Sequence, residues 1–316
     1  MSNISDETEP NIFYTHGHLF TVVVLSVTTL VGVPGNALVL WITGVKMKWT
    51  MNTIWFWNLA LADIICCLSL PLTVVQYFYP EWLYGAVLCK MLHFIVPLNM
   101  FTSVFTLVAI SVDRCILVVQ PIWARNHRVV RLAWMTCLAI WTLSSVMCLP
   151  KVLYQTFYTE YNKTWCYSEE HIIVPTAYIY MVFGFLLPFL IISACYISVA
   201  FILHKRRFTE VGNKIIKVSL GIVVTFFITW APYHIMGVVL LYTPNEVVLI
   251  LDMFSQSLAM FNSCINPILY VFMGKDMKDK VRLSFAELMQ STLSESLSKT
   301  PPQRIRHMEA EDVPLQ

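Results

Sequence analysis

Charged residues are scarce in this sequence, and their scarcity excludes an ordinary soluble protein. Only 13% of the residues are charged while 57% are hydrophobic, whereas a soluble domain has roughly 25% and 45–50%. The few basic residues form no stripe with interleaved aromatic residues, so nucleic acid is not an expected partner. The composition predicts a chain that lies largely in a lipid bilayer.

Catalytic motifs and internal repeats are absent as well. The sequence contains no His-Glu-x-x-His motif, no phosphate-binding glycine loop and no nucleophile elbow, which argues against an enzyme. Transporters usually consist of repeated halves around a midplane site, and this sequence shows no such duplication. A transporter or channel is therefore a disfavoured alternative among membrane proteins.

Long apolar runs are what the sequence has in abundance. A helix of about 20 residues crosses the roughly 30 Å hydrocarbon layer of a bilayer. Seven runs of that kind occur, and they predict an all-α membrane protein, a seven-transmembrane helix bundle occupying residues 19–272. The runs cover residues 19–44, 52–78, 87–118, 131–150, 174–203, 214–241 and 247–272.

The segments outside the bundle have different compositions. Residues 1–18 are polar and acidic and predict an N-terminal tail, while residues 273–289 predict a short amphipathic eighth helix on the membrane surface. Residues 290–316 predict a disordered tail. Phosphorylation of the hydroxyls in this tail would add negative charge that suits a basic groove. The candidate sites are Ser291, Thr292, Ser294, Ser296, Ser298 and Thr300.

The distribution of basic residues predicts the orientation. All but Lys90, Lys151 and Lys163 of the 21 Lys and Arg residues lie on one side of the predicted membrane, and positive charge marks the cytoplasmic side. The N-terminus is therefore expected outside and the C-terminus inside, in a multi-pass protein of the plasma membrane. The glycosylation acceptors Asn3 and Asn162 fall on the predicted outer side.

Seven of the nine cysteines are interpreted as apolar residues of the membrane-spanning runs, and two are placed at the predicted outer surface. The latter two are Cys89, at the predicted outer start of the third helix, and Cys166, in the second outer loop. Both would face the oxidising compartment, where disulfides persist. We expect them to be bonded.

Asp63 lies in the middle of the second apolar run, where a charge costs roughly 2.5–3.5 kcal/mol. One interpretation is a structural carboxylate held by hydrogen bonds. In the other interpretation, Asp63 and oxygen-bearing residues at the same depth form a binding site for a small cation. We expect no cofactor other than this ion, which would be sodium. The further residues of that predicted sodium site are Asn99, Ser103, Asn262 and Ser263.

Two short motifs lie near the predicted cytoplasmic ends of the third and seventh runs. Asp113 and Arg114 are an adjacent acid and base, which by themselves could be an ordinary surface pair. In the second motif, Pro267 removes a backbone donor, Asn266 is expected to bridge the freed carbonyl, and Tyr270 could swing on the resulting joint.

Trp230 stands two residues before Pro232 in the sixth run. A tryptophan at the centre of a bundle is usually a packing residue. Beside a proline kink it could also transmit the pressure of a ligand into helix bending.

Together these motifs resemble those of rhodopsin-like G protein-coupled receptors over residues 20–290. The residues that carry the resemblance are Gly35, Asn36, Leu59–Asp63, Cys89, Asp113–Cys115, Trp141, Pro188, Tyr196, Trp230–Pro232 and Asn266–Tyr270. The resemblance implies that Arg114 leaves Asp113 on activation and reaches the G protein, with Tyr196 and Tyr270 lining the opened cavity.

Further segments resemble the chemoattractant branch, which includes receptors for anaphylatoxins, formyl peptides, chemerin and prostaglandin D2. They are most similar to complement 3a anaphylatoxin receptors. These segments are Gln120–Arg128, Val146–Pro150, Trp230–Val238, Asn262–Pro267 and Phe272–Asp276. The branch implies inhibitory-class G proteins and arrestin as partners, and a role in chemotaxis or inflammation.

Several positions depart from related receptors. Met260 stands where a light receptor has its retinal-binding lysine, and Val96 where an amine receptor has an acid. Tyr180 and Gln155 replace two arginines that hold a ligand carboxylate in the branch. Asp252, in contrast, matches the acidic position that anaphylatoxin receptors offer to a basic ligand side chain.

The ligand pocket is expected among helices three, five, six and seven. Its predicted lining is His93, Val96, Pro97, Met100, Tyr180, Trp230, Tyr233, Asp252 and Gln256. We hypothesise a basic peptide whose cationic side chain pairs with Asp252 near the rim. The alternatives are a lipid mediator, and a coincidental pairing of Asp252 with Lys90 or Lys151.

Overall fold

The computed structural model describes residues 12–161, 163–205 and 210–273, and over these it contains seven helices long and apolar enough to cross a membrane. The predicted helix bundle is confirmed. We call the helices spans 1 to 7. Span 1 is Ile12–Trp41 with a π-helical turn Ile42–Lys46; spans 2, 3 and 4 are Met51–Gln76, Gly85–Val119 and Val130–Leu153; span 5 is Glu170–Met181, a π-helical turn Val182–Leu186 and Leu187–Lys205; spans 6 and 7 are Glu210–Tyr242 and Glu246–Met273.

Span 3 is the central helix of the bundle, because it packs against spans 2, 4, 5 and 6. Span 7 packs against spans 1, 2 and 6. Large apolar side chains on the outside are exposed on every span, including Leu30, Leu68, Leu138 and Leu190. In water such a surface would be costly, whereas in lipid it is the expected solvent contact.

The loop between spans 4 and 5 folds into a β-hairpin, which the sequence interpretation did not anticipate. Strand β1 (Gln155–Glu160) pairs antiparallel with β2 (Lys163–Ser168). The amide of Trp82, in the loop between spans 2 and 3, donates to the Thr164 carbonyl at 2.8 Å. We call this side of the bundle the hairpin end.

A disulfide joins Cys89 at the start of span 3 to Cys166 on β2, which confirms the prediction. The bond ties the hairpin to the central helix. Gln155, placed by sequence near the end of span 4, is instead the buried first residue of β1. Its side chain accepts a hydrogen bond from Ser168 at 2.7 Å, so it holds the hairpin together and is not exposed to a ligand.

Span 5 contains a π-helical turn just before Pro188. Gly184 lies in this turn, and a Cβ there would come within 2.8 Å of Met100 Cε on span 3. A larger residue at position 184 would require the flexible end of Met100 to shift. Met100 fills the space and is fully buried.

Several predictions concern residues outside the described ranges. These are the eighth helix beyond Met273, the tail with its six candidate phosphorylation sites, and the two glycosylation acceptors Asn3 and Asn162. They stay predictions.

Candidate ligand cavity and transmembrane polar network

A cavity of about 590 Å³ lies at the hairpin end of the bundle. Spans 1, 2, 3, 4, 6 and 7 contribute to its wall, together with the loop between spans 2 and 3. The lining residues are His18, Thr21, Leu25, Leu70, Thr73, Gln76, Tyr77, Tyr79, Pro80, Trp82, Leu92, His93, Val96, Pro97, Lys151, Tyr233, Gln256, Ser257 and Met260. Its size is that of a small-molecule or peptide-end site.

Five of the nine predicted ligand-binding residues line this cavity, and four do not. The five are His93, Val96, Pro97, Tyr233 and Gln256. The cavity therefore lies closer to spans 1 and 2, and further from span 5, than the expected position among spans 3, 5, 6 and 7. The reason is that the side chains of span 5 and the lower part of span 6 pack tightly against span 3.

The four remaining residues are buried in this packing. Tyr180 packs edge-on against Phe101, with ring centroids 5.3 Å apart, and Met100 occupies the space left by Gly184. Trp230 and Asp252 are 1% and 9% exposed. In this conformation none of the four lines the cavity, and their roles in ligand binding stay predictions.

Asp252 differs from its expected place at a solvated rim. It is buried, and its Oδ2 accepts a hydrogen bond of 2.6 Å from the side chain of Gln256, which itself lines the cavity. Gln256 therefore connects the carboxylate to the cavity wall. A basic ligand group that pairs with Asp252 Oδ2 would compete with this hydrogen bond.

Lys151 is the cavity residue that sequence reasoning missed. It was considered only as a chance partner of Asp252, yet it lines the cavity directly from the last turn of span 4. Among the described residues, Lys151 and Asp252 form no salt bridge. The sequence did contain a signal for a role at the ligand end, since Lys151 is one of only three basic residues on the predicted outer side.

Trp230 begins a run of aromatic contacts below the cavity. Its ring stacks on Phe226 at 5.8 Å and meets Tyr233 edge-on at 5.5 Å. Tyr233 lines the cavity, so a ligand that moves Tyr233 would press on Trp230. This arrangement is compatible with both interpretations of Trp230, packing and transmission.

Asp63 is fully buried and forms the centre of a polar network that joins spans 2, 3 and 7. The side-chain amides of Asn99 and Asn266 donate to its two carboxylate oxygens at 3.0 and 2.8 Å. Ser263 donates in turn to Asn99 at 3.4 Å. Asn262 points elsewhere and accepts from Thr229 at 3.3 Å.

The residues around Asp63 fit a small cation with oxygen ligands. The site has one carboxylate and several amide and hydroxyl oxygens, the donor type that hard cations prefer. Two buried oxygens, Ser103 Oγ and Asn266 Oδ1, have no hydrogen-bond partner within the described chain. Such orphaned oxygens are costly unless something else satisfies them.

Pro267 leaves the carbonyl of Ser263 without its helical donor, and the expected bridge by Asn266 is wrong. The donor is Asn36 on span 1, whose side-chain amide lies 2.8 Å from the Ser263 oxygen and 3.0 Å from the Gly32 oxygen. The amide of Asn266 donates to Asp63 instead. The carbonyl that Pro267 leaves free in span 7 is thus satisfied by span 1.

Arg114 lies in a cluster at the opposite side of the bundle, which we call the arginine end. Its Nη1 is 3.3 Å from Asp113 Oδ2, and its Nη2 donates to Asn52 at 2.8 Å. Arg128, between spans 3 and 4, binds Asp113 through both carboxylate oxygens at 2.7 and 3.0 Å and Asn52 at 3.0 Å. Sequence reasoning did not anticipate this second arginine.

For the two remaining predicted activation residues, Tyr196 and Tyr270, the described part of the chain shows no hydrogen bond with Arg114. Tyr196 on span 5 is partly buried and within electrostatic range of Arg114. Tyr270 lies on the last part of span 7, but its side chain is outside what the structure describes. Their role in lining an opened cavity stays a prediction.

Known proteins similar to this chain are receptors. A family model described as "7 transmembrane receptor (rhodopsin family)" matches residues 35–270. The chain is 41% identical over 298 residues to the C3a anaphylatoxin chemotactic receptor of Danio rerio. The aligned region covers 92% of this chain and 82% of that receptor. Over 290 residues it is 38% identical to the C5a anaphylatoxin chemotactic receptor 1 of Oryctolagus cuniculus, covering 88% and 83%. Over 303 residues it is 36% identical to the chemerin-like receptor 1 of Rattus norvegicus, covering 88% and 81%. The resemblance inferred from the motifs is confirmed.

Proposed function

The chain belongs to the rhodopsin family of seven-transmembrane receptors and is a G protein-coupled chemoattractant receptor; we propose that its ligand is an anaphylatoxin-like or other basic peptide. We further propose that it signals through inhibitory-class G proteins. The relatives are named for C3a, C5a and chemerin, which supports a ligand of this group.

The observation that carries the peptide proposal is the mixed lining of the cavity. Charged and polar side chains such as Lys151, His93 and Gln256 stand beside apolar ones such as Leu25 and Met260. A peptide end presents both polar backbone groups and side chains, so it can use such a wall. Asp252 is hydrogen-bonded to the cavity residue Gln256 and would receive the basic side chain.

The test of the ligand class is a screen of C3a, C5a, chemerin and formyl peptides, and of prostanoids. The readout is nucleotide exchange on purified inhibitory-class and stimulatory-class G proteins. We expect a peptide to stimulate exchange on the inhibitory class only. Asp252→Asn should weaken that peptide at least about tenfold, or 1.4 kcal/mol; an uncharged activating peptide that is indifferent to this change would refute the pairing.

A lipid mediator is the second candidate, and one observation favours it. The cavity wall has one lysine and, among its nineteen described lining residues, no aspartate or glutamate. A fatty-acid-type ligand needs a cation for its carboxylate and apolar surface for its chain. The prostanoids in the screen test this alternative directly.

The orientation, with the N-terminus outside and the C-terminus in the cytoplasm, is part of the proposal. The basic residues predict it, and they would put the hairpin end outside and the arginine end at the G protein. Protease protection of tagged termini in intact cells tests it. Glycosylation at Asn3 and Asn162 is tested by the mobility of the asparagine-to-glutamine variants after glycosidase treatment.

A sodium ion near Asp63 is proposed as an allosteric ligand. When bound, it would neutralise the buried carboxylate. The two orphaned oxygens described above support the proposal. Sodium should change agonist affinity in the wild type and have no effect in Asp63→Asn; the same sodium response in both would refute the site.

Arrestin is the remaining proposed partner. It would bind the receptor after phosphorylation of the six hydroxyls between residues 291 and 300, whose negative charge suits a basic groove. We also propose that residues 273–289 lie on the membrane as an amphipathic helix. Arrestin recruitment that survived alanine at all six positions would refute the first proposal.

A further inference from the structure

Lys151 gives the cavity a positive wall without an acidic counterpart. It follows Pro150 in the last turn of span 4. Of the nineteen described lining residues it is the single lysine or arginine, and none is an aspartate or glutamate. Asp252 is not among them, and its carboxylate accepts a hydrogen bond from Gln256. The cavity surface therefore favours a negatively charged group.

The three N–H donors of Lys151 are unused within the described chain. The side chain donates no hydrogen bond to a described residue, and it forms no salt bridge with one. The Asp252 carboxylate accepts from Gln256 instead. A charged side chain at this depth asks for a reason, and an ammonium group that faces the cavity without a described acceptor is available to a ligand.

Two structural roles would explain a lysine here, and the geometry supports neither. A basic residue in the last turn of a helix can satisfy the free carbonyls of that turn. In span 4 the backbone amide of Tyr154 already donates to the carbonyls of Pro150 and Val152. A buried ion pair with Asp252 would require direct contact, and that contact is absent among the described atoms.

We propose that Lys151 is the anion-binding residue of the cavity and binds a carboxylate of the ligand. This rests on the proposed function, in which the cavity is the ligand site. The charge-assisted bond between ammonium and carboxylate would satisfy the donors that are unused now. The carboxylate could be the terminus of a peptide or the head of a fatty-acid-type lipid, and the experiment separates these sources.

The first measurement uses the purified receptor without ligand. Thermal unfolding is followed for the wild type and Lys151→Gln, with Lys90→Gln as the matched control, because Lys90 is an exposed lysine at the same end. We expect an equal or higher Tm for Lys151→Gln, since an unsatisfied charge is removed. A fall of more than about 3 °C would show that Lys151 supports the fold, and would overturn the proposal.

The second measurement compares charged and neutral forms of two probes. One pair is the last ten residues of Danio rerio C3a as free acid and as C-terminal amide; the other is prostaglandin D2 and its methyl ester. In the pair that binds, the acid should bind the wild type at least about tenfold more tightly than the neutral form. Lys151→Gln should abolish this preference, Lys151→Arg should retain part of it, and Lys90→Gln should leave it unchanged.

The outcomes separate this proposal from the proposed function. Peptide binding with no preference for the acid, or a preference that survives in Lys151→Gln, overturns the role of Lys151 and leaves a peptide receptor. A preference that depends on Lys151 in the lipid pair alone supports the role and overturns the peptide ligand. Binding of neither pair overturns both.

Discussion

Two cationic residues mark the two ends of the bundle, and their surroundings are opposite. Lys151 at the hairpin end faces a cavity and donates to no described residue. Arg114 at the arginine end is 2% exposed and is held by Asp113 and Asn52, which it shares with Arg128. A receptor must accept a ligand at one end and release a partner-binding group at the other. The first task needs a charged side chain without a protein partner, and Lys151 has none among the described residues. The second needs a charged side chain, such as Arg114, that is held by protein partners and can be released from them.

The middle of the bundle connects these ends through buried polar contacts. Asp63 is bonded to spans 3 and 7, and Asn36 ties span 1 to the kink in span 7. Spans 3 and 7 also supply cavity residues, and span 3 carries Arg114 near its other end. The predictions below test the two ends and this connection, from the largest expected effect to the smallest.

Removal of the Cys89–Cys166 bond should have the largest effect. The double variant Cys89→Ala with Cys166→Ala loses the bond between the hairpin and span 3, at a cost of about 2–5 kcal/mol. Surface expression and the Tm of purified protein measure it. Cys115→Ala is the control, because Cys115 is free and partly buried. Equal expression and Tm in the two variants would contradict a structural role for the bond.

Arg114→Ala should affect G protein activation at the arginine end without affecting ligand binding at the hairpin end. We expect agonist-stimulated nucleotide exchange to fall at least about tenfold, because the residue proposed to enter the G protein interface is gone. Ligand binding to the uncoupled receptor should be unchanged, since Arg114 lies far from the cavity lining. Full exchange at normal surface expression would refute the role of Arg114.

The sequence predicted those features that depend on composition and on short motifs. Apolar run length indicated all seven spans, although their ends were underestimated where polar turns continue the helix, as at Lys151–Leu153. The disulfide was predictable because Cys89 and Cys166 both lay at the predicted outer surface, at the start of the third run and in the second outer loop. The hairpin was missed, although Phe157, Tyr158, Trp165 and Tyr167 supply the aromatic residues that strands favour.

Features that depend on how helices turn relative to one another were not predictable. The register between spans 1 and 7 decides that Asn36, and not Asn266, meets the freed Ser263 carbonyl. Likewise, the direction of the last turn of span 4 decides that Lys151 lines the cavity. Met100 packs against Gly184 and Tyr180 against Phe101, so neither lines it. No spacing within one helix contains this information.

Asn36→Leu tests the connection in the middle of the bundle. The substitution leaves the carbonyls of Ser263 and Gly32 without the Asn36 donor, and an unsatisfied buried group costs about 1–3 kcal/mol. We expect a lower Tm and a smaller response to agonist. Thr142→Val is the control, because the exposed Thr142 hydroxyl bonds only within its own helix, to Leu138. An unchanged Tm in Asn36→Leu would show that other groups satisfy the kink.

Arg128→Gln should have the smallest effect and should define what Arg128 does at the arginine end. Both oxygens of Asp113 are bonded to Arg128, at shorter distances than the 3.3 Å contact with Arg114. When Arg114 leaves, Arg128 can keep the buried Asp113 carboxylate paired, which lowers the cost of release. Without Arg128, Asp113 should hold Arg114 more firmly.

We therefore expect basal nucleotide exchange in Arg128→Gln to fall about threefold, or roughly 0.7 kcal/mol, with ligand affinity unchanged. Arg125→Gln is the matched control, because Arg125 is exposed on the short helix Pro121–His127 that precedes Arg128. A rise in basal exchange would mean the reverse, that Arg128 holds the receptor closed by clamping Asp113 and Asn52 together. The sign of the change thus shows whether the second arginine eases or opposes the release of the first.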